Sequence, residues 1–322
     1  MKSFRKLLVV LMALSMILCV TACSSKAKDN TNLSILYEQD DSMINTYTLI
    51  AVNPQAPFVD ANGNSVSGVQ INTVGADALM NWLLSEEGEK AAAEFGYDTY
   101  KEYLFYKLED APVSTADIPK ATKATKKIRL STTTSVNDSG LLGELLPVFE
   151  EKYGYKVEVF SEGTGKSIAN AMMGNADLIL VHAKASEEAF VSAGFGRVID
   201  GMKSERCSFL YNYFVLVGPK DDPVGVKDCK TVTDAFAKIA KEKALFVSRG
   251  DASGTHTKEL SLWPAELGIT VDATSFANYT DWYISANAGM GACLKMANEK
   301  KAYILSDKAT YLTFNANKGE IE

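Results

Sequence analysis

The sequence predicts an α/β fold built as two halves, and three observations carry that prediction. From Lys127 onward the chain alternates short apolar runs with amphipathic segments; most of those apolar runs open into clusters of Gly, Ser and Thr; and a polar stretch divides this region from a smaller N-terminal block.

The first element is a leader. Lys2, Arg5 and Lys6 precede the apolar run Leu7 to Val20, which ends in VTAC. A basic start, a short apolar run and a small residue before the cut predict a secretory signal over residues 1–22, too weakly flanked for a lasting membrane span. Val-Thr-Ala-Cys resembles a bacterial lipobox, which implies a diacylated Cys23 on a polar tether, residues 23–32, and an extracytoplasmic protein anchored to the membrane by lipid. The 322 residues are 47% hydrophobic and 23% charged, an ordinary profile for a folded chain with room for two cores. Without the leader's three basic residues the chain holds 30 basic against 40 acidic residues, a net charge of −10. That balance argues against nucleic acid as a partner. Cys207, Cys229 and Cys293 remain after Cys19 and Cys23, and an odd, widely spaced set predicts buried small hydrophobes rather than a disulfide framework or a metal site.

The block at 33–110 contains two strand-like runs, LSILYE and YTLIAVNP, and a helical pattern in GADALMNWLLSEEGEKAAAEFG. Two strands and a helix make little independent core. Residues 111–127, poor in large apolar side chains, read as a linker.

Beyond the linker, KIRLS, KVEVFS, ADLILVHA and ALFVSRG each precede a helical segment and YILSD follows one, which predicts parallel or mixed sheets covered by helices. In such sheets ligands collect where the strands end. IRL opens into Ser131, Thr132, Thr133, Thr134 and Ser135; VEVFS opens into EGTGKS; LFVS opens into RGDASGT; AGMG starts a fourth helix. Small residues let backbone N–H groups approach a ligand, hydroxyls add donors and helix starts add partial positive charge, so the set predicts an anion site. Any single cluster is explained by helix capping. A run of five hydroxyls exceeds what one cap uses, and Arg249 adds a fixed cation, whose competing role is an ion pair with Asp251.

The enzyme patterns fit less well. GTGKS lacks the first glycine of a phosphate-binding P-loop, having Phe160 there, and GDASG places Ser253 one position late for a nucleophile elbow. His182 and His256, the two histidines, read as hydrogen-bonded structural residues, with a secreted hydrolase using Ser253 and His256 as the alternative from the enzyme class. The spacing of Asp138, Asp177, Asp251 and Asp307 singles out no catalytic pair, and no cofactor is called for.

Taken together, IRLSTTTSVNDSGLLGELLPVFEEKYGYKVEV, GTGKS, NADLILVHA, YNYFVLVGP, FVSRGDASGTHTKEL and GMGACLKMANEKKAYILSD resemble the tungstate-binding proteins of bacterial ABC transporters, within the type II periplasmic-binding fold. The resemblance covers nearly all of residues 128–322, and the block at 33–110 looks like that family's C-terminal part. It stands first here, which implies a circular permutation. The resemblance further implies two lobes joined by crossing strands, YNYFVLVGP (its core at residues 213–217) and YTLIAVNP. The first lobe takes residues 47–110 and 128–212, the second 33–46 and 218–322. Carried over residue by residue, Thr133, Thr134, Ser135, Gly163, Thr164, Gly165, Arg249, Ser253, Gly254 and Thr255 would bind tungstate or a molybdate-like oxyanion. The implied partners are an ABC permease and its cytoplasmic ATPase. Many donors and few acceptors suit a dianion without a proton. A binding protein or sensor for another small anion is the nearer alternative.

Overall fold

The computed structural model describes residues 31–319 except Gln39. The predicted signal, Cys23 and the tether up to residue 30 lie outside the described residues. The last two tether residues belong to the folded body: Thr31 is buried and donates to Asn315 Oδ1 (2.9 Å), and the Asn32 amide donates to Asn298 Oδ1 (2.8 Å).

Eleven strands are present among the described residues: β1 (Leu33–Tyr37), β2 (Ile44–Val52), β3 (Tyr106–Lys107), β4 (Lys127–Thr133), β5 (Lys156–Glu162), β6 (Leu178–Val181), β7 (Gly196–Arg197), β8 (Cys207–Pro219), β9 (Phe246–Ser248), β10 (Tyr283–Ser285) and β11 (Tyr303–Asp307). The helices are α1 (Thr73–Leu83), α2 (Glu86–Glu94), α3 (Tyr97–Tyr100), α4 (Thr134–Asp138), α5 (Leu141–Tyr153), α6 (Thr164–Met172), α7 (Lys184–Ser192), α8 (Val232–Lys241), α9 (Gly254–Leu260), α10 (Met290–Lys300) and α11 (Lys308–Ala316). The helical pattern after Gly75 divides into α1 and α2 because Ser85 caps the second helix, accepting from the Gly88 amide (3.2 Å).

The thirteen-residue strand β8 runs through two sheets. Its first half pairs antiparallel with β2, which pairs antiparallel with β6; β4 then lies parallel between β6 and β5. Its second half pairs antiparallel with β1 on one edge and β11 on the other, and β9 lies parallel between β11 and β10. Each sheet carries its own core. Leu49, Leu130, Leu180, Trp82 and Phe149 pack in the first, and Phe214, Phe236, Phe246, Trp263 and Trp282 in the second. Opposite-facing residues of β2 and β8 feed cores on both sides of their sheets, which is why Leu49 to Val52 and Phe214 to Val217 are unbroken apolar runs.

The boundary between the lobes is less clean than the sequence suggests. Ala309, in α11, packs into the first core although its neighbours Tyr311 and Phe314 pack in the second lobe. The predicted linker is not a free connection either. Lys127 already opens β4, the Ser114 hydroxyl donates to Asn81 (2.7 Å) and its amide to the Leu84 carbonyl (2.8 Å), and the Ala121 amide donates to Tyr153 (2.9 Å). These bonds strap the segment across the first lobe. Cys207, Cys229 and Cys293 are all free thiols.

Candidate anion site

The parallel strands β4, β5, β9 and β10 end at Thr133, Glu162, Ser248 and Ser285, and the loops that follow β4, β5 and β9 face one another across the lobes. Two close approaches define the contact. A Cβ built on Gly163 would stand 3.4 Å from Asp251 Oδ2 and 3.9 Å from Ser253 Cβ; one built on Gly289, at the start of α10, would stand 3.8 Å from the Thr134 side chain.

The five-hydroxyl run divides in two. Ser131 donates to the Ser167 carbonyl (3.1 Å) and Thr132 to the Leu180 carbonyl (2.7 Å), so these two tie β4 to its neighbours. Thr133, Thr134 and Ser135 face the other lobe's loop or the residues beneath it. Thr133 Oγ1 caps α4 by accepting from the Val136 amide (3.3 Å) and lies 3.1 Å from Ser135 Oγ; Thr134 Oγ1 accepts from Arg249 Nη2 (3.0 Å). A hydroxyl that accepts at a cap keeps its own proton to donate elsewhere.

In the second lobe Arg249 is 2% exposed. Its Nη2 also contacts Asp251 Oδ2 (2.5 Å), so the ion pair weighed from sequence does form, and part of the guanidinium is committed to it. Nε has no partner. Asp251 Oδ1 accepts from the Ser253 amide (3.2 Å), which spends both carboxylate oxygens inside the loop. Gly250 is left-handed (φ 64°), and a Cβ there would fall 2.0 Å from Ser285 Oγ, so only glycine fits. Ala252 is also left-handed (φ 55°), a strained position for a residue with a side chain, held by its amide donating to His256 Nδ1 (3.0 Å).

The hydroxyls of Thr164 and Thr255 are buried with no hydrogen-bond partner, like Arg249 Nε. Unpartnered buried donors are uncommon because each costs about 1–3 kcal/mol, and here three of them lie on facing loops. Gly165 stands apart: it is exposed, and a side chain there would meet nothing. Helix starts contribute less than the sequence suggests. α4 has five residues and α9 seven, too short for a useful dipole, so the positive charge comes from Arg249, with α10, eleven residues long, as the one long helix opening toward Thr134.

The four aspartates separate by role. Asp177 is bound by Arg129 (2.6 Å) far from the loops, Asp307 caps α11 through the Thr310 amide (2.9 Å), and Asp251 holds Arg249. Burial lifts Asp138 above the ordinary carboxyl range, against the nearby Arg249 charge, and lifts Asp307 to about 6. Ser253 Oγ accepts from the backbone amide of His256 (3.2 Å), and that ring's Nδ1 is engaged by Ala252. Ser253 therefore has no base, and the hydrolase arrangement does not form.

His182 is hydrogen-bonded, as the sequence predicts, and it stands between the two loops, a placement the sequence does not show. Its Nε2 lies 2.8 Å from Ser135 Oγ and 3.1 Å from Thr133 Oγ1, and a Cβ on Gly254 of the other lobe would meet its ring at 2.8 Å. Burial, with the Arg249 charge second, lowers its pKa to about 3, so the ring is neutral. The signal was available in outline, since His182 directly follows an apolar strand that ends at the site.

The PBP superfamily domain matches residues 119–322. A tungstate-binding protein, TupA, of Peptoclostridium acidaminophilum is 46% identical over 200 residues, 62% of this chain and 65% of that protein. TupA of Campylobacter jejuni is 35% identical over 183 residues, 57% of this chain and 62% of the relative. The chain thus spans a little under two thirds of the length of either relative. A solved structure described as the tungstate ABC transporter from Geobacter sulfurreducens is 42% identical, with a TM-score of 0.50, over 61% of this chain and 78% of that one.

Proposed function

This chain belongs to the PBP superfamily, and from that premise we propose that it is an extracytoplasmic solute-binding protein that captures tungstate, or a similar tetrahedral oxyanion such as molybdate, between its lobes. It delivers the ion to an ABC permease driven by a cytoplasmic ATPase and does no covalent chemistry. One observation carries the reading: buried Arg249 reaches across the lobes to Thr134 while its Nε and the Thr164 and Thr255 hydroxyls stay unpartnered on facing loops. Those donors, with Ser135, Ser253 and the amides around Gly163 and Gly254, form the binding set, and Thr133 bonds Ser135. Hydrogen bonds to a charged group contribute roughly 1.5–3 kcal/mol each, enough in number to offset desolvation of a dianion. The names of the two curated relatives support tungstate as the ion. Calorimetric titration with tungstate, molybdate, sulfate and phosphate tests this, and no heat from any of the four overturns it.

Two parts of the proposal concern the chain outside the site. Cys23 carries the lipid anchor, so Cys23→Ser releases the protein from membranes; retention of the variant there refutes the anchor. The chain is also circularly permuted. Supporting this, β1 and β2 of the N-terminal block pair in succession along one edge of β8, Thr31 bonds Asn315, and the strap at 111–126 joins the block to β4 over the first lobe's surface. A gene that joins residue 319 to residue 31 by a short linker and opens the strap is expected to give a folded protein with unchanged affinity. An unfolded product, with the starting order folding normally, counts against permutation.

A further inference from the structure

His182 is 7% exposed, packed by Tyr47 (ring centroids 5.3 Å apart) and Phe214 (6.4 Å), and its two ring nitrogens meet different surroundings. Nε2 is within hydrogen-bond distance of two hydroxyls of the first lobe. Nδ1 faces the Cα of Gly254 and has no hydrogen bond of good geometry, its own backbone carbonyl being the one acceptor near it. A neutral imidazole carries one proton. Placed on Nδ1, it would be a buried donor with only the residue's own carbonyl to reach, at poor geometry. On Nε2 it finds Ser135 Oγ and, at longer range, Thr133 Oγ1, and only a bare acceptor is left orphaned, the better tolerated of the two.

The choice of nitrogen sets the direction of every proton in the relay. With Nε2–H donating, Ser135 Oγ accepts from the ring and also from the Thr133 hydroxyl (3.1 Å), while Thr133 Oγ1 accepts from the Val136 amide. Ser135 then has both acceptor positions filled and its own proton unspent. With Nε2 bare, Ser135 would spend its proton on the ring and turn an acceptor outward, which suits an oxyanion that still carries a proton.

We propose that His182 is a positioning residue: as the Nε2–H tautomer it fixes Ser135 as a donor only, and so makes the site prefer fully deprotonated oxyanions over hydrogenphosphate. The inference rests on the oxyanion reading above for its selectivity and on the relay geometry alone for its tautomer. Two-bond 1H–15N correlation on 15N-histidine-labelled protein reads the tautomer directly, and the chain's two histidines are told apart with His182→Gln. A neutral ring protonated at Nε2 is expected at pH 7; a proton on Nδ1 overturns the inference whether or not tungstate binds. In the second arm, tungstate and phosphate are titrated into three proteins. His182→Gln, whose amide N–H can replace the Nε2 donor, is expected to keep the tungstate-over-phosphate ratio within about threefold, and His182→Leu to lose at least tenfold of it. An unchanged ratio in His182→Leu also overturns the inference. If that variant fails to fold, collapse of the ratio in a folded His182→Gln does the same. A wild-type protein that ignores tungstate but shows the Nε2–H ring would fail the functional reading and spare the relay.

Discussion

The two facing loops hold their donors by opposite means. In the first lobe a neutral network of hydroxyls and one uncharged imidazole supports Thr133 and Ser135. In the second, an ion pair, two left-handed residues and a carboxylate with both oxygens engaged hold Arg249. One half supplies direction and the other supplies charge. The same contrast recurs one layer deeper: beneath the first loop lies His182, lowered to about 3 by burial, and on the helix that follows the second loop lies Glu259, raised by burial to about 7 while it accepts from Trp263 (2.9 Å) and Tyr283 (2.8 Å).

The contrast breaks most sharply at Arg249. Arg249→Ala removes the charged half and is expected to weaken tungstate binding at least a hundredfold, about 3 kcal/mol, the worth of two hydrogen bonds to a charged group. Calorimetry on variant protein with unchanged circular dichroism checks it, and a loss under tenfold would remove Arg249 from the site.

The buried supports should also separate by pH. The unfolded chain protonates His182 near 6.5 and the native state does not, so this group's stability is lost as pH falls below about 6.5, at ~1.4 kcal/mol per unit. Glu259 runs the other way: the native state keeps a proton that the unfolded chain releases near 4.5, so stability is lost as pH rises from about 4.5 to about 7. Between 4.5 and 6.5 the two slopes oppose each other. Chemical denaturation across that window is expected to show, relative to the unsubstituted protein, a profile that falls more steeply with pH in His182→Gln and one that tilts toward rising with pH in Glu259→Gln. Parallel profiles for both variants would erase the distinction.

Gly254→Ala tests the place where the halves meet. The added methyl lies 2.8 Å from the His182 ring, so the lobes must stand further apart, with about tenfold weaker binding and a larger radius of gyration in scattering with ligand present. The smallest effect sharpens the division within the hydroxyl run. Thr132→Val removes the bond to Leu180 and is expected to cost about 1 kcal/mol of stability, read by denaturant titration, with oxyanion affinity unchanged.

Much of the molecule was legible from local pattern. Alternating apolar and amphipathic segments announced the α/β layers, because a central strand such as β6, LILV, is buried on both faces and is apolar throughout. Gly, Ser and Thr at the strand ends marked the loops, because close backbone approach excludes bulk. The docking of the strap was not legible, since it depends on a partner distant in sequence, Ser114 reaching Asn81, whereas the division of the helical run is a local signal that the apolar spacing hides, a serine cap three residues ahead of Gly88.

By itself, then, the amino-acid sequence determined the layer architecture, the two donor-rich loops and the cation that serves them. These are properties of short segments, carried by periodicity and residue size. Tertiary structure alone decided which hydroxyls of Ser131 to Ser135 are spent inside the sheet, that Asp251 engages Arg249 with both its own oxygens in use, and that His182 lies under one loop and against the other. A hydrogen bond's direction depends on what lies within about 3 Å of each donor, and for His182 those neighbours come from residues 47 or more positions away in one lobe and from Gly254 in the other.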